Sequence, residues 1–280
     1  MDPLVVAIFG LVSALEIGIP FIIGFFIVRR YNVPWSIFGW GALFFILIQV
    51  IHTPLVIGIQ SPLYQFLIVT FPGPYQAIAI FSIVLGLLAG LFEEIGRYLV
   101  YKYIFPRRPI DLRKENGLQF GIGWGGIESM AVGGIMILTM LSYIVAVPLT
   151  STQIDAINKS TGGTLTDEQI ALIKKQNETL LNLKPLDLLP SLIERIMTIT
   201  LHLAWSLMVL AAVVQKRTIL LATTILWHTV ADAVAVFLGQ TAGILAAEMA
   251  VFVMALIGIW YIREQGFLIR EKNPRIEYRI

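Results

Sequence analysis

From Leu4 to Val28 the chain runs 25 residues with a single charged side chain, Glu16. At about 1.5 Å of rise per residue, a helix of that length outreaches a hydrocarbon core about 30 Å thick. Six more stretches repeat the pattern, at 35–58, 76–104, 117–148, 188–214, 218–238 and 242–262. Such runs predict an all-α polytopic membrane helix bundle with about seven transmembrane helices. Composition agrees: 57% of the 280 residues are hydrophobic and 14% charged, where soluble domains carry about a quarter charged. The first stretch is expected to stay as a permanent span. It opens on Asp2 rather than a basic segment, is too long for a signal-peptide core, and ends in Arg29-Arg30.

Charge orients the bundle. Arg29, Arg30, Lys102, Arg107, Arg108, Arg113, Lys114, Lys216, Arg217, Arg263, Arg270, Lys272, Arg275 and Arg279 are 14 of the 20 basic residues. Seven spans and an external N-terminus put all of them on one side, so the N-terminus is expected outside and the C-terminus in the cytoplasm. The net charge of +2 gives no sign of a nucleic-acid partner. The chain reads as one transmembrane domain, 1–280, with an extracytoplasmic loop at 149–187. Within that loop Thr166 and Gln169 have capping-box spacing and start one amphipathic helix. The uncharged connection 59–75, with its "FPGPY", is expected to re-enter the membrane or lie on its surface.

Charges inside lipid are costly, about 2.5–3.5 kcal/mol each on insertion scales, so the few present mark function or structure. Glu94 lies 13 residues from Arg107, Glu128 14 from Lys114, His202 14 from Lys216, and His228 11 from Arg217. These four groups, from four spans, fall in one layer roughly 16–21 Å from the basic connections, a depth that favours cytoplasmic water access. Glu93 and Glu94 stand four and three residues before Arg97, so the arginine reaches both without fully satisfying either. Asp232 is four residues after His228 and is placed to orient its imidazole; Ser206 has the same spacing from His202. Glycines 121, 123, 125 and 126 let helices approach near Glu128. His52, Glu16 and Glu248 read as structural, and Glu194-Arg195 as an ion pair with other groups.

Carboxylates and imidazoles at one depth suit hydrolysis. A carboxylate takes a proton from water, while imidazoles hold the water, stabilise an oxyanion or bind a metal. The familiar protease signatures are absent: there is no HExxH, no G-x-S, and only one aspartate, Asp232, inside a span. With no cysteine, thiolate ligands and a cysteine nucleophile are excluded as well.

"EEIGR" (Glu93, Glu94, Arg97), "GIGWGGIES" (Glu128), "ERIMTITLH" (Glu194, Arg195, His202) and "HTVAD" (His228, Asp232) occur in that order. Over about residues 75–240 this pattern resembles the CPBP and PrsW-like membrane proteases, and within them the YhfC family of intramembrane metalloproteases. The resemblance implies a cell-membrane peptidase that acts on a membrane protein or peptide substrate. Glu93 or Glu94 would activate the water, His202 and His228 would bind metal or donate to an oxyanion, and Asp232 would align His228. Glu128 stands where CPBP enzymes carry histidine, which puts a transferred metal-free mechanism in question. A zinc ion held by His202, His228 and Glu128 is the alternative chemistry. Two other classes stay open: a non-catalytic membrane scaffold of the same superfamily, and a small-solute or proton-coupled transporter.

Overall fold

The structure, a computed structural model, describes residues 2–73 and 75–271, the side chains of 265–271 excepted. The expected positions of Lys272, Arg275 and Arg279, and of the Arg270 side chain, lie outside the described residues. Nine α-helices follow in order among the described residues: α1 Pro3–Tyr31, α2 Trp35–Thr70, α3 Gln76–Leu99, α4 Lys114–Val145, α5 Ser151–Ser160, α6 Asp167–Leu181, α7 Leu189–Val214, α8 Thr218–Thr241 and α9 Ile244–Glu271. Helix α3 continues through a π-helical turn, Val100–Ile104, and a 3-10 turn, Phe105–Arg107. Among the described residues seven helices are long and apolar enough to cross a membrane, and the chain is a multi-pass membrane protein.

Two local expectations fail. Helix α2 does not stop near residue 58 but runs to Thr70 through Pro54 and Pro62, leaving a short connection before Gln76. A proline inside a helix forfeits one hydrogen bond, and the apolar sequence "LYQFLIVT" beyond it keeps the helix going. The 149–187 loop holds two helices rather than one. Both begin with a reciprocal capping box, Thr150 with Gln153 and Thr166 with Gln169.

The chain divides into two compact units. The smaller comprises residues 1–17 and 131–192. Its core joins Val5, Phe9 and Val12 to Tyr143 and Leu188. Ser191 Oγ donates to the buried Glu16 Oε1 at 2.7 Å, and the Asp2 amide donates to the Tyr143 hydroxyl at 2.9 Å.

The larger unit, residues 18–130 and 193–280, contains the site. Within it α2 packs on α3, α3 on α8, and α8 on α9. Its principal core carries a chain of touching rings, Tyr101, Phe105, Phe120 and Trp124, all fully buried. Tyr101 and Phe120 have centroids 4.9 Å apart, Tyr101 and Phe105 5.1 Å, and Phe120 and Trp124 5.6 Å. Helices α2 and α4 cross so closely that a Cβ at Gly123 would fall 2.1 Å from the Phe38 carbonyl oxygen.

Candidate active site

Two rows of glycine set the geometry. A Cβ added to Gly86 or Gly90 of α3 would lie 2.6 Å from the Thr229 carbonyl oxygen or 2.8 Å from that of Ile225, both on α8. Small residues allow this backbone approach in membrane bundles. Glu94 follows Gly90 by one turn on the same face. The approach brings its Oε1 within 2.6 Å of His228 Nδ1. On α4, Gly117, Gly121 and Gly125 repeat every four residues and abut Leu210, Ser206 and His202 of α7. Glu128, near the end of that row, meets His202 Nε2 at 2.7 Å.

Arg97 joins these two pairs. Its Nη1 donates to Glu94 Oε1, and its Nη2 reaches Glu93 Oε2 at 3.3 Å and His202 Nδ1 at 2.5 Å. A guanidinium has no acceptor, so His202 Nδ1 must be the acceptor here. The ring hydrogen therefore sits on Nε2 and is donated to Glu128. The orienting contact expected from Ser206 comes instead from Arg97 and Glu128. Likewise the tight partner of His228 is Glu94, on another helix, while Asp232 Oδ2 stands 3.5 Å from Nε2. That distance is too long for a good hydrogen bond.

The two neighbouring glutamates have different surroundings. Glu94 is fully buried against Arg97 and His228. Glu93 lines a cavity of about 360 Å³, together with His52, Glu128, His202, His228 and Asp232. Its Oε1 accepts from Gln49 Nε2 at 3.1 Å and its Oε2 from Trp124 Nε1 at 3.0 Å. Arg195, also on the cavity wall, donates to Glu128 Oε1 at 2.9 Å and to Glu194.

The structure brings Glu93, Glu128, His202, His228 and Asp232 to one cavity, with Glu94 and Arg97 buried directly behind them, and it adds His52, which reads as structural from the sequence. Three further side chains escape a search confined to charges and histidines. Gln49 and Trp124 hold Glu93. Trp205 stacks on His228 with centroids 4.0 Å apart and planes 12° from parallel. A glutamine one turn before His52 in a mostly apolar span, and a tryptophan set among glycines, were the available signals.

Fold and site together define a multi-pass membrane protein with a buried, hydrogen-bonded set of carboxylates, imidazoles and a guanidinium. The chain belongs to the family described as YhfC intramembrane metalloprotease, which it matches over residues 15–256. It is 28% identical over 239 residues to a protein of Bacillus subtilis (strain 168) described as an uncharacterized membrane protein YhfC, an alignment covering 84% of this chain and 86% of that one. No solved structure matches it.

The family description implies a metal, and the donor set can be tested for it. Two ligand atoms on a tetrahedral zinc, each at about 2.0–2.1 Å, stand roughly 3.3 Å apart. His202 Nε2 and Glu128 Oε2 are 2.7 Å apart, hydrogen-bonded to one another. The other nitrogen of His202 faces a guanidinium, and Nδ1 of His228 is engaged by Glu94. Among the described residues no three His, Asp or Glu side chains are arranged to hold an ion. As arranged, His202, His228 and Glu128 do not fit a zinc site.

Proposed function

We propose that this chain is an intramembrane peptidase that hydrolyses a peptide bond in a membrane protein or peptide of the cell membrane. The observation carrying the reading is that Glu93, alone of the "EEIGR" carboxylates, faces the cavity while held by three donors, Gln49, Trp124 and Arg97. Its carboxylate takes a proton from a water molecule as the water oxygen bonds to the scissile carbonyl carbon. His228, as an imidazolium between Glu94 and Asp232, donates Nδ1–H to Glu94 and presents Nε2–H to the developing oxyanion. Such a fixed donor in a water-poor site commonly contributes roughly 2.7–4 kcal/mol of transition-state stabilisation. As the C–N bond breaks, Glu93 returns its proton to the leaving nitrogen, giving a new carboxyl group and a new amine. Arg97, Glu94 and Glu128 keep the imidazoles and the base in place. The family's name supports the peptidase reading.

The test compares membranes of cells producing the wild-type chain or Glu93→Gln. New N-termini in membrane proteins, identified by mass spectrometry, are expected with the wild type alone. Identical sets of termini in the two samples would sink the peptidase reading.

A further inference from the structure

Exposure of the site residues is graded in one direction on four helices. On α8, Thr224 is fully buried, the His228 side chain is 3% exposed and that of Asp232 39%. On α7 the order is Ser206, fully buried, then His202 at 4% and Glu194 at 36%. On α4, Trp124 is fully buried and Glu128 is 29% exposed. On α3, Tyr101 and Arg97 are fully buried and Glu93 is 7% exposed. In every case the more exposed residue lies farther from the basic connections at Arg107–Lys114 and Lys216–Arg217.

Packing explains the gradient. Between the polar layer and those basic connections the fully buried rings of Tyr101, Phe105 and Phe120, with Leu207 and Leu210, fill the interior. On the other side the cavity continues past Asp232 along Val56, Leu85, Thr198, Val236 and Val251. We infer that water and the scissile segment of the substrate reach Glu93 from the helix ends opposite the basic connections. By the positive-inside rule that is the extracytoplasmic leaflet. The segment it admits is an extended apolar stretch of a membrane-bound protein, since the wall beyond the site is mostly aliphatic. Depth read from sequence spacing points to the cytoplasm, because spacing measures distance to the nearest charges and not what fills the space between. The route serves the peptidase reading above and is tested without it.

The chain has no cysteine, so single cysteines report access without a background. Thr198→Cys and Val236→Cys probe the cavity, Lys159→Cys marks one side of the membrane and Arg217→Cys the other. A charged, membrane-impermeant maleimide is applied to intact spheroplasts and to inverted vesicles holding the full-length chain. Both cavity thiols are expected to label from the Lys159 side and to be protected from the Arg217 side. Labelling from the Arg217 side, or from neither side until the protein is denatured, overturns the route. A chain that labels as expected but cleaves nothing keeps the route and loses the peptidase reading.

Discussion

Trp124 is joined to Glu93 by a hydrogen bond of 3.0 Å from the indole Nε1 to the carboxylate Oε2. The same indole carries the Arg97 guanidinium 4.5 Å above its ring. One side chain therefore fixes both the cavity-facing carboxylate and the cation beside it, a combination of hydrogen bond and cation–π contact that neither phenylalanine nor leucine could reproduce.

Replacing Trp124 by Phe keeps a ring beneath Arg97 and removes the donor to Glu93. A hydrogen bond to a charged group contributes about 1.5–3 kcal/mol. The expected outcome is a fall in kcat of about tenfold to a hundredfold with KM unchanged. Steady-state kinetics on a cleaved substrate check it, and an unaltered kcat would show that the bond does not position the base.

The two glutamates should separate by phenotype. Glu93→Gln removes the base from a carboxylate that faces the cavity, so cleavage is lost, while Arg97 keeps Glu94 and His202 as partners and the melting temperature falls by less than in Glu94→Gln. Glu94→Gln breaks a fully buried ion pair and its contact with His228. Removing one partner of such a pair costs about 3–5 kcal/mol, so a clear drop in melting temperature is expected. Thermal unfolding in detergent beside a cleavage assay distinguishes the two. Equal stability with equal loss of activity would deny Glu94 its structural role.

Much of this was legible in the sequence. Each of the seven candidate spans coincides with a helix long and apolar enough to cross, because hydrophobic length is a local property. The pairing of "EEIGR" with Arg97 follows from helical spacing alone. What spacing cannot give is the partner on another helix. Asp232 shares a face with His228, yet Glu94 is the closer partner because Gly86 and Gly90 bring α3 against α8. Gln49 and Trp124 carry no charge, so a reading built on the cost of burying charge passes over them. The capping-box spacing that marks α6 is also present at Thr150 and Gln153, and the second short helix could have been read from it.

A matched pair of glycine substitutions tests the close approach of α4 to α7. A Cβ at Gly125 would lie 2.7 Å from His202 Cβ and 2.8 Å from its ring, whereas nothing lies within 4 Å of one at Gly134. Overpacking of this kind costs about 1–3 kcal/mol and here displaces the imidazole from Glu128 and Arg97. Gly125→Ala is expected to lower both melting temperature and cleavage, and Gly134→Ala neither. Equal behaviour of the two variants would mean that the His202 contact relaxes freely.

Zinc content is where the family's name and the geometry part. For His202, His228 and Glu128 to bind one ion, His202 would have to give up Arg97 at one nitrogen and Glu128 at the other. His228 has Nε2 on the side of Asp232 and the cavity, so it could ligate by losing its proton there, but it would stand without the other two. A cation would also have to sit close to the Arg97 guanidinium, whose repulsion is poorly screened in a buried site. Purified protein in detergent, analysed by mass spectrometry, is therefore expected to carry the same zinc as His202→Ala/His228→Ala, and its cleavage activity to survive a chelator. Near-stoichiometric zinc that disappears in the double variant, with activity lost to the chelator, would show that the imidazoles leave their present partners to form a metal site. In that event the hydrogen-bonded arrangement of His202 would describe the metal-free protein alone.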